Sequence, residues 1–225
     1  MNDKLGTQLP QAAIFDLDGT LFQTETLLET VHRQVFETLR EEGLYDKPLP
    51  SIDLLLGSLG MLLSDIWFKV MPDGSPEAHE RANALLLQYE MEHLAAGRGQ
   101  LYPGVVEALQ QLRDRGIRLF IASNGLEEYV KGVPALRGIG DLFEGMYSAG
   151  EFSTASKVDL VRKLMDTFDI ESGWMVGDRS SDVEAGKRNG LLVVGCDYAG
   201  FRRQGELDGS DAIIRSFPEI LKLLP

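Results

Sequence analysis

Hydrophobic and polar positions along the chain keep two alternating rhythms. Ala12-Ala13-Ile14-Phe15 is an uninterrupted apolar run that stops at Asp16-Leu17-Asp18-Gly19-Thr20, the pattern of a buried strand whose C-terminal end opens into a loop. After Thr20 the period lengthens. Leu27, Leu28, Val31, Val35, Phe36 and Leu39 recur at helical spacing, with Thr24 or Thr26 available as N-cap and Gly43 beyond the last turn. A break at Asp46-Lys47-Pro48-Leu49-Pro50 precedes a Leu-rich segment from Ile52 to Val70, interrupted by Gly57 and Gly60. A longer helix is predicted from about Ser75 to Ala96, started by Ser75-Pro76-Glu77, and Gly97-Arg98-Gly99 closes the region. No convincing strand falls within it.

From Tyr102-Pro103-Gly104 onward, strands and helices alternate. Val105, Val106, Leu109 and Leu112 mark a helix, Ile117 to Ala122 a strand ending in Ser123-Asn124-Gly125, and Leu126 to Arg137 a helix. Met146-Tyr147-Ser148 is a short strand, and Leu160, Val161, Leu164 and Phe168 outline a helix preceded by a loop holding Lys157. Trp174-Met175-Val176 runs into Gly177-Asp178-Arg179-Ser180-Ser181-Asp182. A short helix to Asn189-Gly190, a strand from Leu191 to Val194, a small strand Ala212-Ile213-Ile214 and a terminal helix ending near Leu224 follow. This alternation predicts an α/β fold, a Rossmann-like parallel sheet covered by helices on both faces. An all-α cap domain, residues 22–97, is inserted after the first strand of a core made of residues 1–21 and 98–225.

Composition narrows the class. A chain of 225 residues with 44% hydrophobic and 25% charged positions is ordinary for a folded globular protein. Twenty-two Lys and Arg against 35 Asp and Glu give a net charge of -13, which repels a nucleic-acid backbone and leaves small phosphorylated ligands as candidates. The single cysteine, Cys196, excludes an internal disulfide and reads as a small core residue. Met1-Asn2-Asp3-Lys4 lacks a signal-peptide pattern, and no apolar stretch approaches the ~18 residues of a membrane span. The expectation is a cytoplasmic protein, monomer or homodimer, with no membrane partner.

In a parallel sheet the strand ends share one edge, where ligands of open α/β sheets gather. That edge would collect Asp16 and Asp18 from the first strand, Ser123 and Asn124 from the second, Lys157 after the third, and Asp178 and Asp182 after the fourth. Asp16 and Asp18 flank Leu17 at the strand exit, and the turn permitted by Gly19 is expected to bring both round one site. Crowded carboxylates call for a hard divalent cation, and Mg²⁺ suits oxygen ligands best. Such a cation, with Lys157, the Ser123 hydroxyl and backbone amides, would attract a phosphate. His32, His79 and His93 lack metal-ligand spacing and read as helix-packed or solvated residues, which disfavours zinc. Neither a P-loop run nor a Gly-x-Gly-x-x-Gly run occurs.

The motif Asp-x-Asp-Gly-Thr after an apolar strand, followed in order by Ser123, Lys157 and Gly177-Asp178-x-x-x-Asp182, resembles the haloacid dehalogenase superfamily. The resemblance implies that Asp16 is a nucleophile forming an aspartyl phosphate and that Asp18 is the general acid and base. It further implies phosphate contacts from Ser123, Asn124 and Lys157. The metal ligands would be Asp16, the Asp18 carbonyl and Asp178, with Asp182 binding the metal or orienting its water shell. The second acid, Asp18, points to phosphoryl transfer, since dehalogenating members lack it. Two positions depart from the usual pattern: Gln23-Thr24 stands where many relatives have Asp-Ser, and Val158 follows Lys157 where proline is frequent. Lys163 is the nearest competitor for the lysine role.

The insertion resembles the helical cap of phosphoglycolate phosphatase-like members, which would close over a small metabolite and exclude water. Gln23, Glu25, Arg33, Lys47 and Lys69 are candidates for reading the leaving group. The leading expectation is a Mg²⁺-dependent phosphatase acting on a small phosphorylated metabolite. The alternatives are a sugar phosphomutase of the same architecture, or a non-catalytic phosphoacceptor or binding protein.

Overall fold

Secondary structure forms where the apolar rhythm places it. In a computed structural model describing residues 5–201 and 203–225, the chain begins with β1 (Ala12–Phe15) and the two-residue strand β2 (Phe22–Gln23). Four helices follow: α1 (Glu25–Glu41), α2 (Ile52–Leu56), α3 (Leu63–Val70) and α4 (Pro76–Ala95). Then come β3 (Gln100–Leu101), α5 (Val105–Asp114), β4 (Arg118–Ser123), α6 (Glu127–Leu136), β5 (Gly145–Ser148), α7 (Ala149–Phe152) and α8 (Lys157–Phe168). The last elements are β6 (Gly173–Gly177), α9 (Ser180–Arg188), β7 (Leu192–Cys196) and β8 (Ala212–Ile214).

The six long strands pair in parallel in the order β5-β4-β1-β6-β7-β8. β1 is central because all four of its residues are apolar and can be buried on both faces. Ala13 and Phe15 enter one core with α5, α6 and Phe217, while Ala12 and Ile14 enter a second with α8 and Ala185 of α9. The chain winds to one side of β1 through β4 and β5, then crosses to the other through β6. This reversal makes the crevice beyond the ends of β1, β4 and β6 a topological switch point. Register reinforces it: Phe15, the last residue of β1, lies level with Ile121 and Val176 near the ends of β4 and β6.

Helices α1 to α4 stack over that edge. Leu27, Leu28, Val31, Val35, Phe36 and Leu39 form the buried face of α1, as their spacing predicts. Ser75 caps α4 by accepting the Ala78 N–H, with Pro76 in the first turn. The Leu-rich segment divides into α2 and α3 around Gly57 and Gly60, and Ser51 caps α2 through the Asp53 N–H.

Three details differ from the sequence-based expectation. Phe22–Gln23 pairs antiparallel with Gln100–Leu101, so a short ribbon joins the entry and exit of the helical layer. Two residues per strand are too few to leave a periodic signal. Gly99 is needed there, because its φ is +82° and a Cβ would meet the Phe22 ring at 2.5 Å. Lys157 lies at the start of α8 and not in a loop; Ser156 caps that helix by accepting the Asp159 N–H. The terminal element, Phe217–Leu223, is 3₁₀ in character. Residues Met1 to Lys4, on which the absence of a leader was read, lie outside the described residues. Among the described residues no helix is long and apolar enough to cross a membrane.

Candidate active site

The first loop turns at Gly19, whose φ is +75°. A Cβ at Gly19 would sit 2.5 Å from Asp178 Oδ2, so glycine lets the β1 loop press against the β6 loop. Asp16 is buried, and its Oδ1 lies 2.7 Å from Lys157 Nζ. The same ammonium donates to Asp182 Oδ1 at 2.5 Å. Burial works against the charge on Lys157, but the Asp16 and Asp182 carboxylates outweigh it and hold its pKa above the usual lysine range. Asp182, in the first turn of α9, also accepts the Arg179 N–H at 3.0 Å. Burial and the neighbouring Asp16 push the Asp182 pKa up to about 6.

Asp178 is buried, and burial followed by the charge of Asp16 raises its pKa well above the usual carboxylate range. Its Oδ1 accepts the Thr20 hydroxyl at 3.4 Å. Its Oδ2 has no hydrogen-bond partner among the described residues, although Arg179 Nε lies 3.3 Å away. Carboxylate oxygens of Asp16, Asp178 and Asp182 fall within 4.8 Å of one another. Three hard oxygen donors, one without a hydrogen-bond partner, suit a divalent cation of the Mg²⁺ type. Nothing in the set favours zinc, and the three histidines are engaged elsewhere. His32, His79 and His93 each pair through Nε2 with Pro50 O, Met71 O and Gln34 Oε1, respectively.

Asp18 stands apart from this cluster. Its Oδ1 accepts the Thr24 hydroxyl at 2.5 Å and the Tyr129 hydroxyl at 2.7 Å. Burial raises its pKa to about 6, with the two hydroxyl hydrogen bonds opposing the rise and the Asp16 charge adding to it. Two acids two residues apart thus occupy different environments: Asp16 is clamped to a cation, and Asp18 is held by neutral donors in a buried position.

Ser123 ends β4 and is buried, its Oγ accepting only a long contact from the Gly125 N–H at 3.4 Å. The Asn124 side chain reaches the helical layer, where its amide donates to Gly60 O at 2.7 Å. Arg179 does likewise through Leu56 O at 2.9 Å. A cavity of about 60 Å³ lies between sheet edge and helices, lined on the sheet side by Asp16, Asp18, Ser123 and Asn124.

The five proposed leaving-group readers, Gln23, Glu25, Arg33, Lys47 and Lys69, do not line that cavity. Gln23 binds Leu101 O across the short ribbon, and exposed Lys47 pairs with Asp73. Lys69 approaches the Met61 sulfur. Lys163 lies over the Phe152 ring on another surface. Cys196 is fully buried, and burial pushes its thiol pKa up, in keeping with a core residue.

Sequence reasoning missed Tyr129, Glu90 and Arg179, and gave Thr24 only a capping role. Thr24 precedes α1 but makes no cap bond with its side chain, which serves Asp18 instead. Glu90 did leave a signal. Ala78, Ala82, Leu86, Glu90 and Leu94 recur every four residues along α4 and all are buried, so one acid interrupts an apolar stripe.

A parallel sheet that delivers paired acids, a hydroxyl and a lysine to one edge beneath a helical layer is a Rossmann-like α/β core with its candidate site at the topological switch point. The chain belongs to the haloacid dehalogenase-like hydrolase family, whose model matches residues 10–190. It is 31% identical over 223 residues to a phosphoglycolate phosphatase of Nitrosospira multiformis, covering 95% of each chain. It is 27% identical over 219 residues to the pyrophosphatase PpaX of Halalkalibacterium halodurans, covering 94% of this chain and 95% of that one. The crystal structure of a predicted phosphoglycolate phosphatase from Haemophilus somnus shares the fold, with a TM-score of 0.81 at 23% identity over 97% of this chain and 99% of that chain.

Proposed function

We propose that the protein is a Mg²⁺-dependent phosphatase that hydrolyses a small phosphate monoester through an aspartyl phosphate on Asp16. The observation that carries this reading is the split between the two acids of the first loop. Asp16 contacts Lys157 at 2.7 Å, while Asp18 sits among hydroxyl donors with a pKa of about 6. A nucleophile must be ionised and a general acid protonated, and pairs of acids whose environments differ in this way mark those roles.

In the first step an Asp16 oxygen attacks phosphorus, the bond from phosphorus to the leaving oxygen breaks, and Asp18 gives that oxygen its proton. In the second, Asp18 takes a proton from water as the water oxygen attacks phosphorus. Asp16 is regained and inorganic phosphate leaves. Lys157 offsets the charge on Asp16 and the transferring group, and the Ser123 hydroxyl donates to a phosphate oxygen, with help from the Asn124 amide. Asp16, Asp178 and the Asp18 carbonyl would hold Mg²⁺, with Asp182 beside them. Once bound, the ion stabilises negative charge on the phosphoryl oxygens. General acid catalysis supplies about 10² to 10⁴, against up to ~10²¹ for phosphate monoesters, so positioning and charge stabilisation carry most of the acceleration.

Residues 22–97 act in this reading as a cap over a core of residues 1–21 and 98–225, and the cavity between them suits a small metabolite. In this reading the enzyme is cytoplasmic, and monomeric or homodimeric. A panel of phosphorylated metabolites assayed for phosphate release with and without Mg²⁺ tests the proposal. Phosphate formed in proportion to substrate lost, and only with the metal, is the expected result. A phosphoryl group moved but conserved would indicate a mutase.

A further inference from the structure

The leaving-group side of the cavity carries an acid and no base. Its walls come mainly from aliphatic side chains, among them Leu28, Leu55, Leu59, Met61 and Leu86. Two polar groups interrupt them, the Tyr129 hydroxyl and the Glu90 carboxyl. Tyr129 is spent on Asp18. Glu90 is 8% exposed, lines the cavity, and takes no hydrogen bond or ion pair from any described residue; burial, with the Asp18 charge adding to it, raises its pKa well above the usual carboxylate range. Among the described residues no lysine or arginine lines the cavity; the nearest buried lysine, Lys157, is already paired with Asp16 and Asp182.

An unpartnered acid in an apolar enclosure is destabilising unless something that enters the enclosure satisfies it. We propose that Glu90 determines specificity by accepting a hydrogen bond from the substrate's leaving group. The favoured phosphate monoester therefore bears a small leaving group with an ammonium or hydroxyl donor, and one with a second anion is rejected. A carboxylate-bearing ester would bury a second negative charge in a low-dielectric space with no cation to offset it. The size is consistent. At roughly 10–15 Å³ per water centre, a cavity of about 60 Å³ holds about four to six waters, which suits a small leaving group. This role accounts for an acid at a stripe position that is apolar in every neighbouring turn of α4.

This inference deepens the phosphatase reading and rests on its placement of phosphate at Asp16, so its test reads binding and not turnover. The probes are O-phosphoethanolamine, glycerol 1-phosphate and 2-phosphoglycolate, titrated calorimetrically in Mg²⁺ into Asp16→Asn protein carrying Glu90, Glu90→Gln or Glu90→Leu. With Glu90, at least one donor-bearing ester should bind about 10- to 100-fold more tightly than 2-phosphoglycolate, the scale of one hydrogen bond to a charged group. Glu90→Leu, which completes the apolar stripe, should remove that preference. Glu90→Gln, which keeps the size and cannot ionise against a bound ammonium, should weaken the ammonium ester more than the hydroxyl ester if the amine is the natural donor. It should treat the two alike if a hydroxyl is.

Preferential binding of 2-phosphoglycolate by the Glu90 protein, equal weakening of all three esters by Glu90→Leu, or no binding of any ester would overturn the inference. Selective binding by Glu90 protein that never hydrolyses these esters with Asp16 restored would instead count against the phosphatase reading alone.

Discussion

The Tyr129 hydroxyl donates to Asp18 Oδ1 at 2.7 Å across 111 residues of sequence, tying the first turn of α6 to the acid of the β1 loop. Burial raises the Tyr129 phenol pKa well above its usual range, with the Asp18 charge adding to the rise, so it remains a donor throughout the working pH range. Its hydrogen bond favours the ionised form of Asp18 and so holds the Asp18 pKa down. Tyr129→Phe should therefore move the alkaline limb of the kcat/KM profile from near pH 6 to higher pH, by roughly half to one unit. A pH profile of both proteins on an aryl phosphate checks this, and a limb that moves downward would exclude Asp18 as the acid.

Asp18 also links stability to pH. Its folded pKa of about 6 lies above the ordinary value of 3.8, so between those values the native state binds more protons than the unfolded state. Stability conferred by the protonated carboxyl is therefore full below pH 3.8 and lost as pH rises through about 6. Asp18→Asn cannot ionise, and in chelator it should exceed the parent at pH 8 by about 1–3 kcal/mol, with the two converging near pH 4. Urea denaturation at the two pH values measures the difference.

Lys157 is the only described cation in direct contact with Asp16 and Asp182. Lys157→Met leaves those buried carboxylates unpaired, and breaking such a pair destabilises by about 3–5 kcal/mol. Added Mg²⁺ should recover part of that loss in the variant and stabilise it more than it does the parent. Thermal unfolding with and without the ion reads both effects; a variant as stable as the parent in chelator would show that the contact carries little.

The seam between sheet edge and helical layer is held by Asn124 to Gly60 O and Arg179 to Leu56 O. Asn124→Ala should loosen it, raising KM several-fold more than it lowers kcat and speeding amide hydrogen exchange in residues 52–62. Unchanged exchange there would show that the seam does not depend on Asn124.

How much of this was legible in the sequence depends on how local each signal is. Asp16 and Asp18 stand where an apolar run stops, and Ser123 and Asp178 follow the next such runs, so strand ends alone brought them to one edge. Lys157 was found by its order along the chain, but its place at the start of α8 was not, because Ser156-Lys157-Val158 carries no strong periodic mark. Tyr129, Arg179 and the new role of Thr24 arise from contacts between the first loop, α6 and the helical layer. No pattern within one element encodes how two layers face each other. Glu90 is intermediate, since its stripe position was visible but its enclosure depended on the sheet edge beneath α4. The charged residues that looked suited to reading a substrate, Arg33 and Lys47, are exposed.

The central claim is that Asp16 carries the phosphoryl group. Rapid mixing of the Mg²⁺-loaded enzyme with excess aryl phosphate, acid quench and peptide mass spectrometry measures it most directly. One phosphoryl group on the peptide containing Asp16 is predicted, and it should be absent from Asp16→Asn, which should also release no phosphate above background. Phosphate release by Asp16→Asn at the parent's rate, or the phosphoryl group on a different residue, would contradict the account.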